Sequence, residues 1–361
     1  MSSPRRTSAH VTTPAYGGPL AIDTLEPIQL GGTTQWMRTR GADASNPVLL
    51  LVQQGPGLPM INEARRFGQL LGLEEVFTVV YWDQRGCGRS LRKAKGRPIT
   101  IDVMVDDTVA LLELLRDRSG AKVYVAGFSF GATIGALAAA QRPDLVATLV
   151  AVGMDVDGAA AGTSAYDLAL SSARQRGNRR ATRQLQRIGP PPHLSSKQFS
   201  TRVRWATNFG GVTTNETYAT LARGLVASLL RSSDYSPADV VRAVRGVTTT
   251  QAALLTEMAE LDLARTLPKL DVPVVMAQGR RDQVAPGEAA ERYAASLDAP
   301  SKDLVWFEGS AHTPHLEEPA KFRDLLLRAR ADEPNARDVL LDASARTGPG
   351  TGTAHDREAR A

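Results

Sequence analysis

The sequence is short of the residues from which cross-links and metal sites are built. Its 361 residues include one cysteine, Cys87, and five histidines. A single cysteine excludes an internal disulfide, and so few thiols and imidazoles leave little material for a structural metal site. We therefore expect a protein that needs neither a metal ion nor another cofactor.

Long apolar runs are also missing. No stretch approaches the roughly 18 uninterrupted apolar residues of a membrane-spanning helix. The first thirty residues hold no apolar segment of the kind that secretory signals contain. These absences lead us to expect a cytoplasmic protein that does not associate with membranes. Hydrophobic residues nevertheless make up 42% of the chain, which is enough to bury a sizeable core.

The net charge of +5 comes from one part of the chain. Residues 158–246 contain thirteen basic and four acidic residues, a net charge of +9, so the remainder carries −4. The basic segment has no recognisable reading-helix motif. This pattern argues against a nucleic-acid partner.

Five short apolar runs are typical of buried parallel strands, because they are rich in Val, Leu and Ile without alternation. They are residues 48–54, 76–82, 122–128, 145–153 and 272–279. Residues 101–120, between the second and third runs, have helical periodicity, and Gly120 is placed to end that helix. The alternation of strands and helices predicts an α/β fold with a mostly parallel sheet flanked by helices.

The alternation stops after Gly153 and resumes near residue 272. Amphipathic helical patterns fill the interval, so we expect a helical cap at 154–267, inserted between core segments 21–153 and 268–333. Both ends, residues 1–20 and 334–361, lack periodicity and are rich in small and polar residues. They are expected to be disordered tails.

The segment GFSFG places Ser129 between two glycines, after a predicted strand and before a helical run. A turn this tight needs very small residues two positions on either side of the serine, and Gly127 and Gly131 meet that need. The N-terminus of the helix then directs N–H groups towards an anion formed at Ser129. The serine is either a nucleophile or an ordinary helix N-cap, and the downstream partners favour the nucleophile.

A serine nucleophile needs a base, and the base needs a carboxylate that orients it. Asp282 follows the last of the five predicted strands, and His312 follows a further apolar segment, so we expect both at strand ends beside Ser129. The order serine, acid, histidine is that of the α/β hydrolases. His315 is the rival base and Asp155 is the rival acid.

An oxyanion hole would complete such a site. The N–H of Phe130, directly after the serine, supplies one donor, and a second is expected from the loop after the first predicted strand. In that loop Gly55 and Gly57 let the backbone approach a substrate. We take Gly55 as the second donor; a tight turn without a catalytic role is the alternative.

Five motifs together resemble the proline iminopeptidase branch of the α/β-hydrolase superfamily. They are QQGPG at 53–57, YWDQRGCGRS at 81–90, GFSFG at 127–131, GRRD at 279–282 and GSAH at 309–312. The resemblance covers residues 25–153 and 268–330 and implies a catalytic trio of Ser129, Asp282 and His312. It also implies an α/β-hydrolase fold whose helical cap carries acidic residues that bind the substrate's free amino group.

The chain departs from the usual pattern of this family near the oxyanion hole and in the cap. Gln53 and Gln54 stand where the family has His-Gly, and we take Gln54 as a candidate for substrate binding. The predicted cap is basic overall, and Glu216 is its best-placed acid for an ammonium group, with Glu257 and Glu260 as reserves.

The function that these residues indicate is hydrolysis of an amino-terminal aminoacyl bond on a small molecule or short peptide. An esterase or lactonase that acts on a small apolar molecule is the alternative. A degenerate hydrolase that only binds a small molecule is a further alternative, although a binding protein has no need of nucleophile, base and acid together.

Overall fold

The structure, a computed structural model, describes residues 16–91 and 98–331. Within these residues eight strands form one sheet: β1 (Ile22–Leu30), β2 (Thr33–Gly41), β3 (Val48–Val52), β4 (Thr78–Asp83), β5 (Val123–Phe128), β6 (Val146–Val152), β7 (Val274–Gly279) and β8 (Lys302–Phe307). They lie in the order β1-β2-β4-β3-β5-β6-β7-β8. β2 pairs antiparallel with both β1 and β4, and the other neighbours are parallel. The predicted mostly parallel sheet is confirmed.

Helices flank this sheet, and further helices lie in the segment between β6 and β7. They are α1 (Ala64–Leu71), α2 (Ile101–Ser119), α3 (Phe130–Gln141), α4 (Gly158–Gln175), α5 (Arg179–Ile188), α6 (Ser196–Asn208), α7 (Tyr218–Arg231), α8 (Pro237–Ala259), α9 (Leu263–Thr266), α10 (Gly287–Ser296), α11 (Pro314–Glu317) and α12 (Pro319–Ala331). The helix predicted at 101–120 is α2, which begins where Thr100 accepts a hydrogen bond from the Val103 N–H and ends at Gly120, with φ of 70°.

Alternate side chains of β3 enter two separate apolar clusters, one on each face of the sheet. Leu50 joins the cluster formed with α2 and α3, and Leu51 joins the cluster formed with α1 and α12. Burial on both faces explains why the parallel strands read as continuous apolar runs. It also leaves the carboxyl ends of these strands as the edge at which polar side chains can converge.

Helices α4 to α9 lie between β6 and β7, in the segment predicted as a cap. We call residues 154–267 the helical insertion. Its two ends are joined, since the Gly158 N–H donates to the Leu261 carbonyl and the Leu263 N–H donates to the Val156 carbonyl. Part of it has its own apolar cluster, which includes Trp205. The predicted disordered tails lie outside the described residues, apart from 16–20.

Two kinds of feature are absent from residues 16–91 and 98–331. No helix there combines the length and the apolar character needed to cross a bilayer. No group of three or more His, Cys, Asp and Glu side chains is arranged to hold a metal ion.

Candidate active site

Ser129 occupies the turn between β5 and α3. With φ of 53° and ψ of −126°, it is the only non-glycine residue with positive φ in the described part of the chain. Such a conformation costs on the order of 1–3 kcal/mol and persists only where the surroundings fix it. Here the Ser129 N–H donates to the Val152 carbonyl at the end of β6, over 2.7 Å. The serine is thus held, with strained backbone, at the carboxyl edge of the sheet.

Gly127 and Gly131 leave no room for a side chain. A Cβ on Gly127 would lie 2.4 Å from the Ala132 Cα, and one on Gly131 would lie 2.1 Å from the Gln53 carbonyl oxygen. Because both obstacles are backbone atoms, neither can move aside without shifting an element. The turn around Ser129 therefore packs directly on its own helix and on the end of β3.

We expect Gly131→Ala to destabilise the fold and to lower turnover at the same time. The added methyl group pushes the end of β3 away from the turn that carries Ser129, and overpacking of this kind costs about 1–3 kcal/mol. Gly224→Ala in α7 is the matched control, because a Cβ there meets no atom within 4 Å. Urea unfolding measures both variants, and equal midpoints would contradict the expected strain.

The structure brings the three predicted catalytic side chains into one hydrogen-bonded chain. His312 Nε2 lies 2.8 Å from Ser129 Oγ, and His312 Nδ1 lies 2.7 Å from Asp282 Oδ2. All three side chains are buried. Burial opposes protonation of His312, but the charge of Asp282 and its hydrogen bond outweigh burial and raise the pKa of the imidazole. With Nδ1–H bonded to Asp282, Nε2 can accept the serine proton.

Asp282 has donors on both of its carboxylate oxygens. Its Oδ1 accepts from the N–H groups of Val284 and Ala285, at 2.8 and 2.9 Å. Its Oδ2 accepts from Gln278 Nε2 at 3.2 Å as well as from His312. The surrounding chain therefore saturates this carboxylate and fixes its direction towards the imidazole.

Three hydrogen bonds that sequence reasoning missed support the loop that carries His312. Glu317 accepts from the Ala311 N–H at 2.9 Å and from the N–H of Thr214, in the helical insertion, at 2.7 Å. The His312 N–H donates to the Val212 carbonyl, also in the insertion, at 2.9 Å. No motif marks the Val212 contact, because a backbone carbonyl has no sequence signature.

The predicted oxyanion donors lie at the ends of the expected elements. Phe130 is the first residue of α3, where N–H groups have no partner within the helix. Gly55 follows β3 with φ of 98°, a conformation that favours glycine. The end of β3 reaches the nucleophile turn, since the Gln53 carbonyl lies against Gly131. Gln54 is partly exposed in the same loop, and its role in substrate binding stays a prediction.

His315, the rival base, is buried in an aromatic pocket instead of contacting the serine. Its ring lies between 4.4 and 5.9 Å from the ring centres of Phe67, Phe128 and Phe322. Burial lowers the pKa of His315 to about 3, so the ring is neutral. His312 is the histidine that reaches the serine.

Asp155, the rival acid, also lies close to Ser129. Its carbonyl accepts from Thr133 Oγ1 at 2.7 Å, one helical turn beyond the serine. The Asp155 side chain is surrounded by protein yet partly exposed, and burial raises its pKa to about 6, although the neighbouring His312 and Ser129 act in the opposite direction. Because Asp282 holds the imidazole Nδ1, Asp155 does not orient the base.

Arg202, on α6, is a further charged group that sequence reasoning missed. It lies within electrostatic range of Asp155, and burial lowers its pKa to about 10. Its Nη1 lies 3.3 Å from His193 Nδ1, its guanidinium lies 5.0 Å from the ring centre of Phe199, and its Nε is buried without a partner. A Cβ on Gly162 would lie 3.0 Å from Nη1, so that glycine leaves space for the guanidinium.

The acidic residues predicted to bind an ammonium group have different surroundings. Glu216 is exposed in the loop before α7. Glu257 accepts from the Ile101 N–H at 2.8 Å, at the N-terminus of α2, and Glu260 directly follows α8. The role of Glu216 in substrate binding stays a prediction.

The DQRG motif forms structural contacts near the site. Asp83 accepts from the Met60 N–H at 2.8 Å and from the Tyr235 hydroxyl, on the helical insertion, at 2.6 Å. Arg85 donates from Nε and Nη2 to the two carboxylate oxygens of Asp107, at 2.7 and 2.8 Å. Both motif residues are therefore engaged in bonds that shape the chain around β4.

Comparison with known proteins agrees with this architecture. A family model described as serine aminopeptidase, S33, matches residues 73–319. A probable aminopeptidase, YbaC, of Bacillus subtilis (strain 168) is 30% identical over 310 residues, which cover 85% of this chain and 96% of that protein.

Solved structures with a similar fold include peptidases and an esterase. A proline iminopeptidase-related protein from Thermus thermophilus aligns with a TM-score of 0.60 and 19% identity, over 86% of this chain and 97% of that one. Proline iminopeptidase from Mycobacterium smegmatis aligns with a TM-score of 0.58 and 19% identity, over 90% of this chain and 100% of that one. An esterase from Exiguobacterium antarcticum aligns with a TM-score of 0.55 and 20% identity, over 84% of this chain and 97% of that one. The structures show the fold, and the family match confirms the resemblance seen in the motifs: the chain belongs to the S33 serine aminopeptidase family of α/β hydrolases.

Proposed function

We propose that this hydrolase removes an amino-terminal residue, proline or another small residue, from a short peptide or small amide. The observation that carries the proposal is the continuous contact from Ser129 through His312 to Asp282, at 2.8 and 2.7 Å. The aminopeptidase relative supports an amide as the bond that is cleaved. The cytoplasmic location and the lack of a nucleic-acid partner stay predictions.

In the proposed acylation step, His312 Nε2 takes the proton of Ser129 as Oγ attacks the substrate carbonyl. Asp282 holds the imidazole in the required tautomer and stabilises its cation. The N–H groups of Phe130 and Gly55 are the proposed donors to the oxyanion of the tetrahedral intermediate. His312 then gives the proton to the leaving amine, and the acyl group stays on the serine.

Deacylation repeats these steps with water as the nucleophile. His312 takes a proton from water, which attacks the ester carbonyl, and returns it to Ser129 Oγ as the amino acid leaves. The helical insertion is proposed to cover the site as a cap, a role that its hydrogen bonds to the His312 loop support.

A matched substrate panel tests the amide specificity. We expect prolyl and alanyl 4-nitroanilides to be cleaved with kcat/KM at least about 10-fold above their N-acetyl derivatives, because a charged hydrogen bond to the free ammonium is worth about 1.5–3 kcal/mol. Release of 4-nitroaniline is the readout, with 4-nitrophenyl butyrate as a neutral ester. Turnover of the butyrate without turnover of any anilide would replace the aminopeptidase with the esterase alternative.

A further inference from the structure

The geometry of an aminoacyl substrate restricts where its ammonium group can bind. The ammonium nitrogen is attached to the carbon next to the scissile carbonyl, so it lies about 2.5 Å from the carbonyl carbon. That carbon must approach Ser129 Oγ to about 3–3.5 Å before attack. Adding one hydrogen bond of about 2.9 Å, the group that receives the ammonium must stand within roughly 9 Å of the serine hydroxyl.

Asp155 stands in that position. It follows β6 by three residues, and the last residue of β6, Val152, accepts the Ser129 N–H. The bond from Thr133 Oγ1 to the Asp155 carbonyl fixes the segment against the first turn of α3. The Ser129 hydroxyl is close enough to the Asp155 carboxylate to favour its charged form.

The two carboxylates near His312 differ in how the protein satisfies them. Asp282 accepts from two backbone N–H groups, from a glutamine side chain and from the imidazole. Within the described residues the Asp155 carboxylate accepts no backbone N–H and forms no ion pair; its side-chain hydrogen bond is with the Ser129 hydroxyl. A carboxylate that is mostly surrounded by protein and has no ion-pair partner is costly, so a cation from the substrate has the most to gain at Asp155.

Arg202 faces Asp155 from the helical insertion without closing on it. The two charges interact, but they lie beyond ion-pair distance, and the guanidinium contacts His193 and Phe199. This arrangement favours the ionised form of Asp155 without neutralising it in an ion pair. Glu216, in contrast, is exposed on the loop before α7.

We propose that Asp155 receives the α-ammonium group of the substrate, and this inference rests on the proposed aminopeptidase function. Asp155 thereby sets the amino-terminal residue so that its carbonyl faces Ser129. The role differs from that of Asp282, which acts on the imidazole and serves every substrate equally. It also differs from the acidic cap residue that the family resemblance suggested, because Asp155 comes directly after a core strand.

The test uses two esters that differ only in the ammonium group, 4-nitrophenyl alaninate and 4-nitrophenyl propionate. We expect the wild-type protein to prefer the alaninate. Asp155→Asn should lower the ratio of alaninate to propionate kcat/KM by about 10- to 100-fold, mainly through the KM for the alaninate. Asp167→Asn, an exposed carboxylate on α4, is the matched control and should leave both substrates unchanged.

Several outcomes would overturn the inference. A parallel fall for both esters in Asp155→Asn would show that Asp155 acts through His312 instead of binding ammonium. Loss of the alaninate preference in Glu216→Gln, but not in Asp155→Asn, would assign the ammonium to Glu216. Equal turnover of the two esters by the wild-type protein would show that it has no ammonium site. Failure of the aminopeptidase function is separate, because it shows as absent anilide cleavage while the esters are still turned over.

The pH dependence of the wild-type preference gives a second readout that needs no variant. Because burial raises the pKa of Asp155 to about 6, the ratio of alaninate to propionate turnover should fall as the pH drops through about 6. The other charged groups that face Asp155 are His312, Asp282 and Arg202; protonation of His312 slows both esters and cancels in the ratio. A ratio that is flat between pH 5 and 8 would contradict the proposal.

Discussion

Ser129→Ala is expected to lower kcat by about 10⁴-fold or more while the protein stays folded. The variant removes the hydroxyl that His312 deprotonates in the described geometry. Because alanine is smaller than serine, it introduces no steric clash in the buried turn. Residual activity would come from binding and from the oxyanion donors alone. Turnover of an alanyl 4-nitroanilide or of a 4-nitrophenyl ester measures the loss, and circular dichroism verifies the fold.

Cys87→Ala is the matched control, because Cys87 is the other side chain near the site that could act as a nucleophile. Its thiol is buried, it lies 3.0 Å from Gln53 Oε1, and burial raises its pKa well above the ordinary value. We expect this variant to keep activity within about threefold. A fluorophosphonate probe should label the wild type and Cys87→Ala but not Ser129→Ala. Labelling of Ser129→Ala would refute the assignment of the nucleophile.

Asp107→Asn is expected to destabilise the fold by about 3–5 kcal/mol. Asp107 and Arg85 form a two-point ion pair in which the side chains are 2% and 6% exposed. Gln35 also donates to Asp107, at 2.6 Å. Asparagine keeps the shape but removes the charge, so the guanidinium is left buried without its counter-ion. Denaturant unfolding measures the change in the free energy of unfolding.

A surface pair provides the control for this prediction. Asp271 lies 2.7 Å from Lys269, but both side chains are 60% exposed. Water already screens such a pair, so Asp271→Asn should give no measurable change in stability. A similar loss of stability in the two variants would show that burial does not determine how much the Arg85–Asp107 pair stabilises the fold.

The buried half of the sheet was predictable, and its edge was not. β3 to β7 were found as apolar runs because helices cover both of their faces. The β1–β2 hairpin was missed because it is partly exposed and carries charged side chains, among them Arg38 and Arg40, which bond to acids. Gly31 and Gly32, both with positive φ, form its turn and were the available signal.

In the site, residues at strand ends were predictable, and residues held by distant partners were not. Ser129, Asp282 and His312 each follow an apolar run within a short motif, so their convergence could be expected. Arg202 is one of thirteen basic residues in 158–246, and nothing in the sequence separates it from outward-facing arginines. Its position depends on His193 and on neighbouring helices, which only folding brings together.

The hydrogen bonds that Thr214 and Val212 form with the His312 loop mean that the helical insertion is no separable module. A chimera that exchanges residues 154–267 for the corresponding segment of another family member would also replace the segment whose backbone carbonyl anchors the general base. Substrate range and turnover would then change together. In this chain, the same segment therefore affects both which substrate is accepted and how fast it is turned over.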